Sequence, residues 1–172
     1  MRPRVVLIGP PGSGKTSVGE ALAVRWGMDH RDTDAEVERV AGKSVSDIFV
    51  DEGEAVFRAF EGTAVSSALA AHHGILSLGG GAILDPTTRS LLHAYVAEGG
   101  TVVFLDVSLT AVVPRVGLNA VRPLLVGNPR RQWLDLMGAR RALYEELATV
   151  TVLTDDIDAQ EVARQIDALE VR

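Results

Sequence analysis

The sequence predicts a three-layer α/β fold, with a central five-stranded parallel sheet flanked by helices on both faces. Three observations carry this. Short β-rich runs alternate with helical stretches along the chain. Its 172 residues, 47% of them hydrophobic, suit one compact domain with a real core. The candidate site motifs each follow a predicted strand, at the carboxyl end where parallel sheets bind ligands. No repeat, low-complexity tract or Pro/Ser-rich linker interrupts the chain, so residues 1–172 are read as a single domain.

The elements follow in order. Residues 4–8 read as a buried first strand, followed by a Gly/Pro loop and a helix over 16–26 closed by Gly27. A short second strand over 29–31 ends at Asp32, Thr33 and Asp34, and a helix-rich stretch covers 35–71. Residues 74–78 form a third strand running into Gly79, Gly80 and Gly81. Asp85 and Pro86 have the N-cap and first-position pattern of a helix reaching about Ala97. Residues 101–105 are a fourth strand, and Ser108 caps the helix after it. Residues 117–131 show no period and hold two prolines, which predicts a mobile loop. A helix over 131–148 leads to the fifth strand, 149–153. The last helix starts at Asp158, with Glu161 at capping-box spacing and an apolar face of Val162, Ile166 and Leu169.

Composition narrows the function. A net charge of -6 argues against wholesale neutralisation of nucleic-acid phosphates. No apolar run reaches the ~20 residues of a membrane span, and the short apolar start lacks a signal-peptide cleavage pattern. Without cysteine there is neither a disulfide nor a thiolate metal site. A cytoplasmic protein, a monomer without nucleic-acid or membrane partners, is expected. Lys15 and Lys43 are its only lysines.

Residues 9–16, Gly-Pro-Pro-Gly-Ser-Gly-Lys-Thr, fit the phosphate-loop pattern G-x-x-x-x-G-K-[ST] between a strand and a helix. Glycines let successive N–H groups turn inward around phosphates, and the helix N-terminus adds partial positive charge. Gly12, Ser13, Gly14, Lys15, Thr16 and Ser17 are therefore candidates for binding a nucleoside triphosphate. Lys15 would meet the β- and γ-phosphates, and the Thr16 hydroxyl would ligate Mg²⁺.

Among proteins with such a loop, a guanine-specific GTPase needs Asn-Lys-x-Asp, yet neither Asn119 nor Asn128 precedes a lysine. A ring ATPase needs a longer module and an apolar strand ending in Asp-Glu. Val107 follows Asp106, so Asp106 reads as a carboxylate capping a core strand. A small kinase remains. Asp32 and Asp34 could simply cap a helix. Beside a phosphate loop, one carboxylate reaching the metal and the other the attacking hydroxyl is the favoured reading.

The phosphate loop, Asp32-Thr33-Asp34, Phe57-Arg58-x-x-Glu61, Ser77-Leu78-Gly79-Gly80-Gly81-Ala82 and Arg122-Pro123-Leu124-Leu125 occur in this order. The ordered set, from Val5 to about Tyr144, resembles the bacterial shikimate kinases. That resemblance implies a P-loop kinase fold, with an acceptor-binding part at about 33–61 and a lid at about 117–131. It implies ATP as co-substrate, Mg²⁺, and transfer of the γ-phosphoryl group to the 3-hydroxyl of shikimate in aromatic amino-acid biosynthesis. It also implies Lys15, Asp34 and Arg122 as catalytic residues, with Arg122 closing over the phosphates, and Thr16 and Asp32 as the Mg²⁺ site. Asp34, Arg58, Gly79, Gly80, Gly81 and Arg140 would bind shikimate, with Val45, Phe49, Phe57, Pro123 and Leu124 as apolar walls. Arg58 and Glu61, three apart on a helix, could otherwise be a surface ion pair worth little.

Arg140 stands out without any family. At about 100° per residue it falls mid-stripe among Trp133, Leu136, Met137, Leu143, Tyr144 and Leu147. A guanidinium aimed inward needs an anion. Arg141 falls at the stripe's edge, facing solvent or a surface partner. Two segments depart from the family pattern. Residues 88–100 look a few residues long, as a surface insertion would. In 154–158, Asp155, Asp156 and Ile157 stand where a basic or amide contact to adenine is expected. A gluconate-type or nucleotide kinase, or a non-enzymatic nucleotide-binding module, are the competing readings. The two arginines with the triple glycine favour a small carboxylate, and the intact Lys15, Thr16, Asp32 and Asp34 favour an enzyme.

Overall fold

A computed structural model of the chain describes residues 2–117 and 128–169. Five strands, β1 (Val5–Ile8), β2 (Asp29–Asp32), β3 (Gly74–Ser77), β4 (Val102–Asp106) and β5 (Val150–Leu153), form one sheet in the order β2-β3-β1-β4-β5. All four pairings are parallel, as the strand–helix alternation requires. The helices are α1 (Lys15–Trp26), α2 (Thr33–Ala41), α3 (Val45–Asp51), α4 (Glu54–Ala71), α5 (Pro86–Ala97), α6 (Leu109–Gly117), α7 (Pro129–Leu147) and α8 (Ala159–Ala168).

Side-chain alternation along the strands divides the core in two. Val6, Ile8, Leu76, Val102 and Phe104 pack with α4, α5 and α7 residues such as Val65, Leu92 and Tyr144. Val5, Leu7, Ile75, Val103 and Leu105 face the other way, onto Leu22 of α1 and Val162 and Ile166 of α8. Burying each such aliphatic side chain is worth roughly 1.5–3 kcal/mol. A third cluster of Val37, Ile48 and Phe57, with Val45 and Phe49 against it, joins α2, α3 and α4. The Phe49 and Phe57 rings lie 4.8 Å apart. β2 is an edge strand of four polar residues, a composition that discourages further strand pairing.

Several boundaries agree with the sequence reading. Gly27 ends α1 in the left-handed conformation. Asp85 caps α5 through the Thr88 N–H, with Pro86 in its first turn. The Ser108 hydroxyl accepts from the Ala111 N–H at the start of α6. Others need correction. Residues 88–100 are no surface insertion: Leu92 and Tyr95 of α5 are buried, and the Tyr95 hydroxyl donates to the Pro3 carbonyl. α7 starts at Pro129, capped by Asn128, so those residues belong to a helix rather than to the loop expected over 117–131. At α8 only half the capping box forms. Asp158 accepts from the Glu161 N–H, while the Glu161 carboxylate goes to Arg164 and Gln165. Leu169 is half exposed, and Ala163 takes its place on the apolar face. No helix among the described residues is long and apolar enough to cross a membrane.

Candidate active site

Every strand delivers its carboxyl end to one rim. β1 leads into residues 9–14, where Gly12 (φ 82°) and Gly14 (φ 89°) take the left-handed conformation that turns the chain around an anion. Gly14 is the N-cap of α1, so the helix opens directly onto the loop. The Lys15 ammonium donates to the Gly9 and Pro10 carbonyls at 2.9 and 3.0 Å, spanning the loop. Ser13 is buried with its side chain under Gly9, whereas Thr16 and Ser17 are exposed in the first turn of α1.

Asp32 caps a helix and also reaches the phosphate loop. Its Oδ1 accepts from the Asp34 and Ala35 N–H groups as the N-cap of α2. Its Oδ2 accepts from the Thr16 hydroxyl at 2.9 Å. A hydroxyl and a carboxylate side by side at the mouth of a phosphate loop form an oxygen donor pair suited to a hard cation. Thr33, between the two aspartates, is fully buried and accepts from the Gly79 N–H at 2.9 Å, tying β2 to the glycine loop. The sequence reading passed over it. A second link runs beneath: the Ser77 hydroxyl donates to the Lys15 carbonyl and meets His30 Nε2 at 2.8 Å.

The three glycines lie at the centre of the cleft, and each has a close neighbour where a side chain would stand. A Cβ on Gly79 would sit 2.5 Å from both Asp34 Oδ1 and Glu61 Oε1. One on Gly80 would press on the Pro11 ring at 3.0 Å, and one on Gly81 would run into the Arg58 guanidinium. Arg58–Glu61 is not a surface pair. Arg58 donates to Glu61 Oε2 at 2.7 Å, with only 3% of the Glu61 side chain exposed. Burial pushes the Glu61 carboxyl above its usual range, against the pull of Arg58. Glu61 Oε1 has no hydrogen-bond partner among the described residues. For Arg58 burial opposes the charge, but Glu61 and Glu54 hold the guanidinium more firmly protonated.

Arg140 is buried on α7 among Trp133, Met137 and Tyr144, as its place in the stripe predicts. Its charge bears on both the Tyr144 hydroxyl and the Glu61 carboxylate. Arg58, Glu61, Asp34 and Arg140 thus converge around Gly79–Gly81. Arg141, at the edge of the stripe, is partly exposed and has a partner there: it holds both oxygens of Asp106 at 2.9 Å, an ion pair joining α7 to the end of β4.

Arg115 was not singled out from sequence, although an arginine in the apolar helix α6 was a readable signal. It donates to the Gly12 carbonyl and to Thr154, so it bridges the phosphate loop and the segment after β5. In that segment Asp155 accepts from the Ser108 N–H, Asp158 caps α8 and Ile157 packs on the core. Two of the three aspartates therefore have structural duties, and Ile157 offers no polar contact to a base. Arg122, Pro123 and Leu124 lie outside the described residues, as does most of the expected lid.

A parallel sheet with a phosphate loop after β1, and a cleft of carboxylates and arginines beside it, defines a P-loop phosphotransferase acting on a small molecule. The family model for shikimate kinase matches residues 11–170. The chain is 54% identical over 171 residues to the shikimate kinase of Streptomyces avermitilis, covering 99% of this chain and 97% of that one. It is 52% identical over 165 residues to that of Thermobifida fusca, covering 96% and 93%. The structure matches the shikimate kinase from Acinetobacter baumannii in complex with shikimate with a TM-score of 0.91 at 34% identity, over 99% of this chain and 93% of that chain. A gluconokinase from Sinorhizobium meliloti, at 23% identity and TM-score 0.62, shares the fold. The chain belongs to the shikimate kinase family, whose members are ATP-dependent phosphotransferases.

Proposed function

We propose that the protein transfers the γ-phosphoryl group of ATP to the 3-hydroxyl of shikimate, giving shikimate 3-phosphate and ADP. The observation that carries this reading is the convergence of Arg58 and Arg140 on Gly79–Gly81, in packing contact with the phosphate loop through Gly80 and Pro11. Two guanidiniums suit an acceptor carboxylate. In this reading Asp34, beside Gly79, accepts a hydrogen bond from the reacting hydroxyl and takes its proton.

In the transfer, the acceptor oxygen forms a bond to the γ-phosphorus, the bond to the β–γ bridging oxygen breaks, and ADP leaves. Lys15 follows the phosphates with a charge that now rests on the loop's own carbonyls. The N–H groups of residues 12–17 hold the nucleotide phosphates. Thr16 and Asp32 would hold Mg²⁺, which supplies charge neutralisation at the phosphates when bound. Arg122, on a lid over about 117–131, adds charge and excludes water on closing. Residues 33–61 carry the acceptor side of one domain spanning 1–172. The reading includes a cytoplasmic monomer acting on freely diffusing substrates, without nucleic-acid or membrane partners, as the net charge of -6 supports.

A coupled assay of ADP release with Mg-ATP and a panel of shikimate, gluconate and nucleoside monophosphates tests this. Turnover with shikimate alone is expected. ADP release no faster with shikimate than without an acceptor would overturn it.

A further inference from the structure

Tyr144 is fully buried on α7, and its ring stacks on Phe104 of β4 with centroids 5.0 Å apart. A tyrosine used only for packing could as well be phenylalanine. Here the hydroxyl donates to the Gly80 carbonyl at 2.5 Å and lies in the field of the Arg140 guanidinium. That oxygen therefore holds the backbone of the acceptor cleft close to its charged side chains.

The Gly80 contact has a geometric consequence. In a planar trans peptide the carbonyl of one residue and the N–H of the next point in opposite directions. A hydrogen bond to the Gly80 carbonyl thus also sets the direction of the Gly81 N–H, away from Tyr144. The restraint matters because a Gly–Gly peptide has no Cβ on either side to resist rotation. The Ala82 N–H closes a turn onto the Gly79 carbonyl at 3.0 Å, and a turn so closed still allows either direction of its central peptide, while Pro11 beside Gly80 and Arg58 beside Gly81 limit only the space. None of them sets the plane of the peptide.

We propose that Tyr144 is a positioning residue for the acceptor, its hydroxyl fixing the direction of the Gly80–Gly81 peptide in the cleft beside Arg140. This rests on the acceptor reading of the glycine loop. Shikimate turnover by the wild type tests that reading separately.

Tyr144→Phe keeps the ring and removes the hydroxyl. Calorimetric titration of the folded variant should show shikimate binding weakened about tenfold, about 1.4 kcal/mol, and ATP binding within about twofold of wild type. Shikimate affinity within about twofold of wild type, or an equal loss for ATP, overturns the proposal. A second measurement needs no variant at position 144. The protein has two tyrosines, so ¹³Cζ-tyrosine labelling gives two signals, assigned with Tyr95→Phe. The Tyr144 signal should move on adding shikimate and stay in place on adding ADP. A signal unmoved by shikimate, or moved as far by ADP, also overturns it.

Discussion

Adjacent arginines on one helix have opposite duties. Arg140 is 7% exposed and faces the cleft, while Arg141 reaches back to Asp106 with its side chain 40% exposed. If Arg140 holds the acceptor carboxylate as proposed, Arg140→Ala removes a charge-assisted contact worth about 2–4 kcal/mol, and kcat/KM for shikimate should fall roughly 30- to 1000-fold. Arg141→Ala should lower stability by about 1 kcal/mol or less, because solvent screens the pair, and change kcat/KM by at most about threefold. Shikimate methyl ester sharpens the comparison. Wild type and Arg141→Ala should discriminate strongly against it, and Arg140→Ala should not. Equal discrimination by all three would place the carboxylate elsewhere. Asp32 offers a second separation at this scale. Asp32→Asn retains an oxygen that can cap α2 but loses the charge beside Thr16. Its melting temperature should stay near wild type while the Mg²⁺ needed for half-maximal rate rises about tenfold or more. Asp32→Ala should in addition lose about 1 kcal/mol of stability with the cap. An unaltered Mg²⁺ requirement in Asp32→Asn would remove this residue from the cation site.

The cleft exists because loops from different strands interlock. The phosphate loop after β1 and the glycine loop after β3 touch at Pro11 and Gly80, where a Cβ would lie 3.0 Å from the Pro11 ring and 3.3 Å from the Gly9 carbonyl. Thr33 ties β2 to the same glycine loop, and Tyr144 ties it to α7. Gly80→Ala should therefore move both loops by a few tenths of an ångström without exposing any core. We expect KM to rise for ATP and for shikimate together, with kcat down about tenfold and little change in melting temperature. A rise confined to one substrate would show that the two loops adjust independently.

Two histidines give the whole molecule a pH dependence unrelated to its chemistry. His72, at the end of α4, is buried, and desolvation holds its pKa below the usual value despite its hydrogen bond to the Ile75 carbonyl. His30, beneath α1, is lowered by burial in the same sense. The sign follows from the direction. A depressed folded-state pKa means that the unfolded chain binds the proton more readily. The stability from the neutral rings is thus present above the ordinary pKa of about 6.5 and is lost as pH falls through the folded-state values. Calorimetric melting temperatures should decline from about pH 7 toward pH 5, and His72→Gln should flatten the decline. An equally steep decline in the variant would assign it to other groups.

The five strands, the phosphate loop and the inward place of Arg140 were all legible in the chain. They depend on local periodicity and on backbone requirements that only particular residues meet. The acidic pair was legible as a pair, but not the division of labour within it, since one carboxylate oxygen can cap a helix while the other faces Thr16. Residues 88–100 misled because length alone does not reveal that Leu92 and Tyr95 reach the core. Arg58–Glu61 has the spacing of a surface pair, and only the packing of α4 against the glycine loop buries it. Thr33, Arg115 and Tyr144 act through partners 39 to 103 positions away. No window along the sequence contains such a pair. Strand order brings these partners together, and strand order is settled by which faces bury one another across the whole sheet.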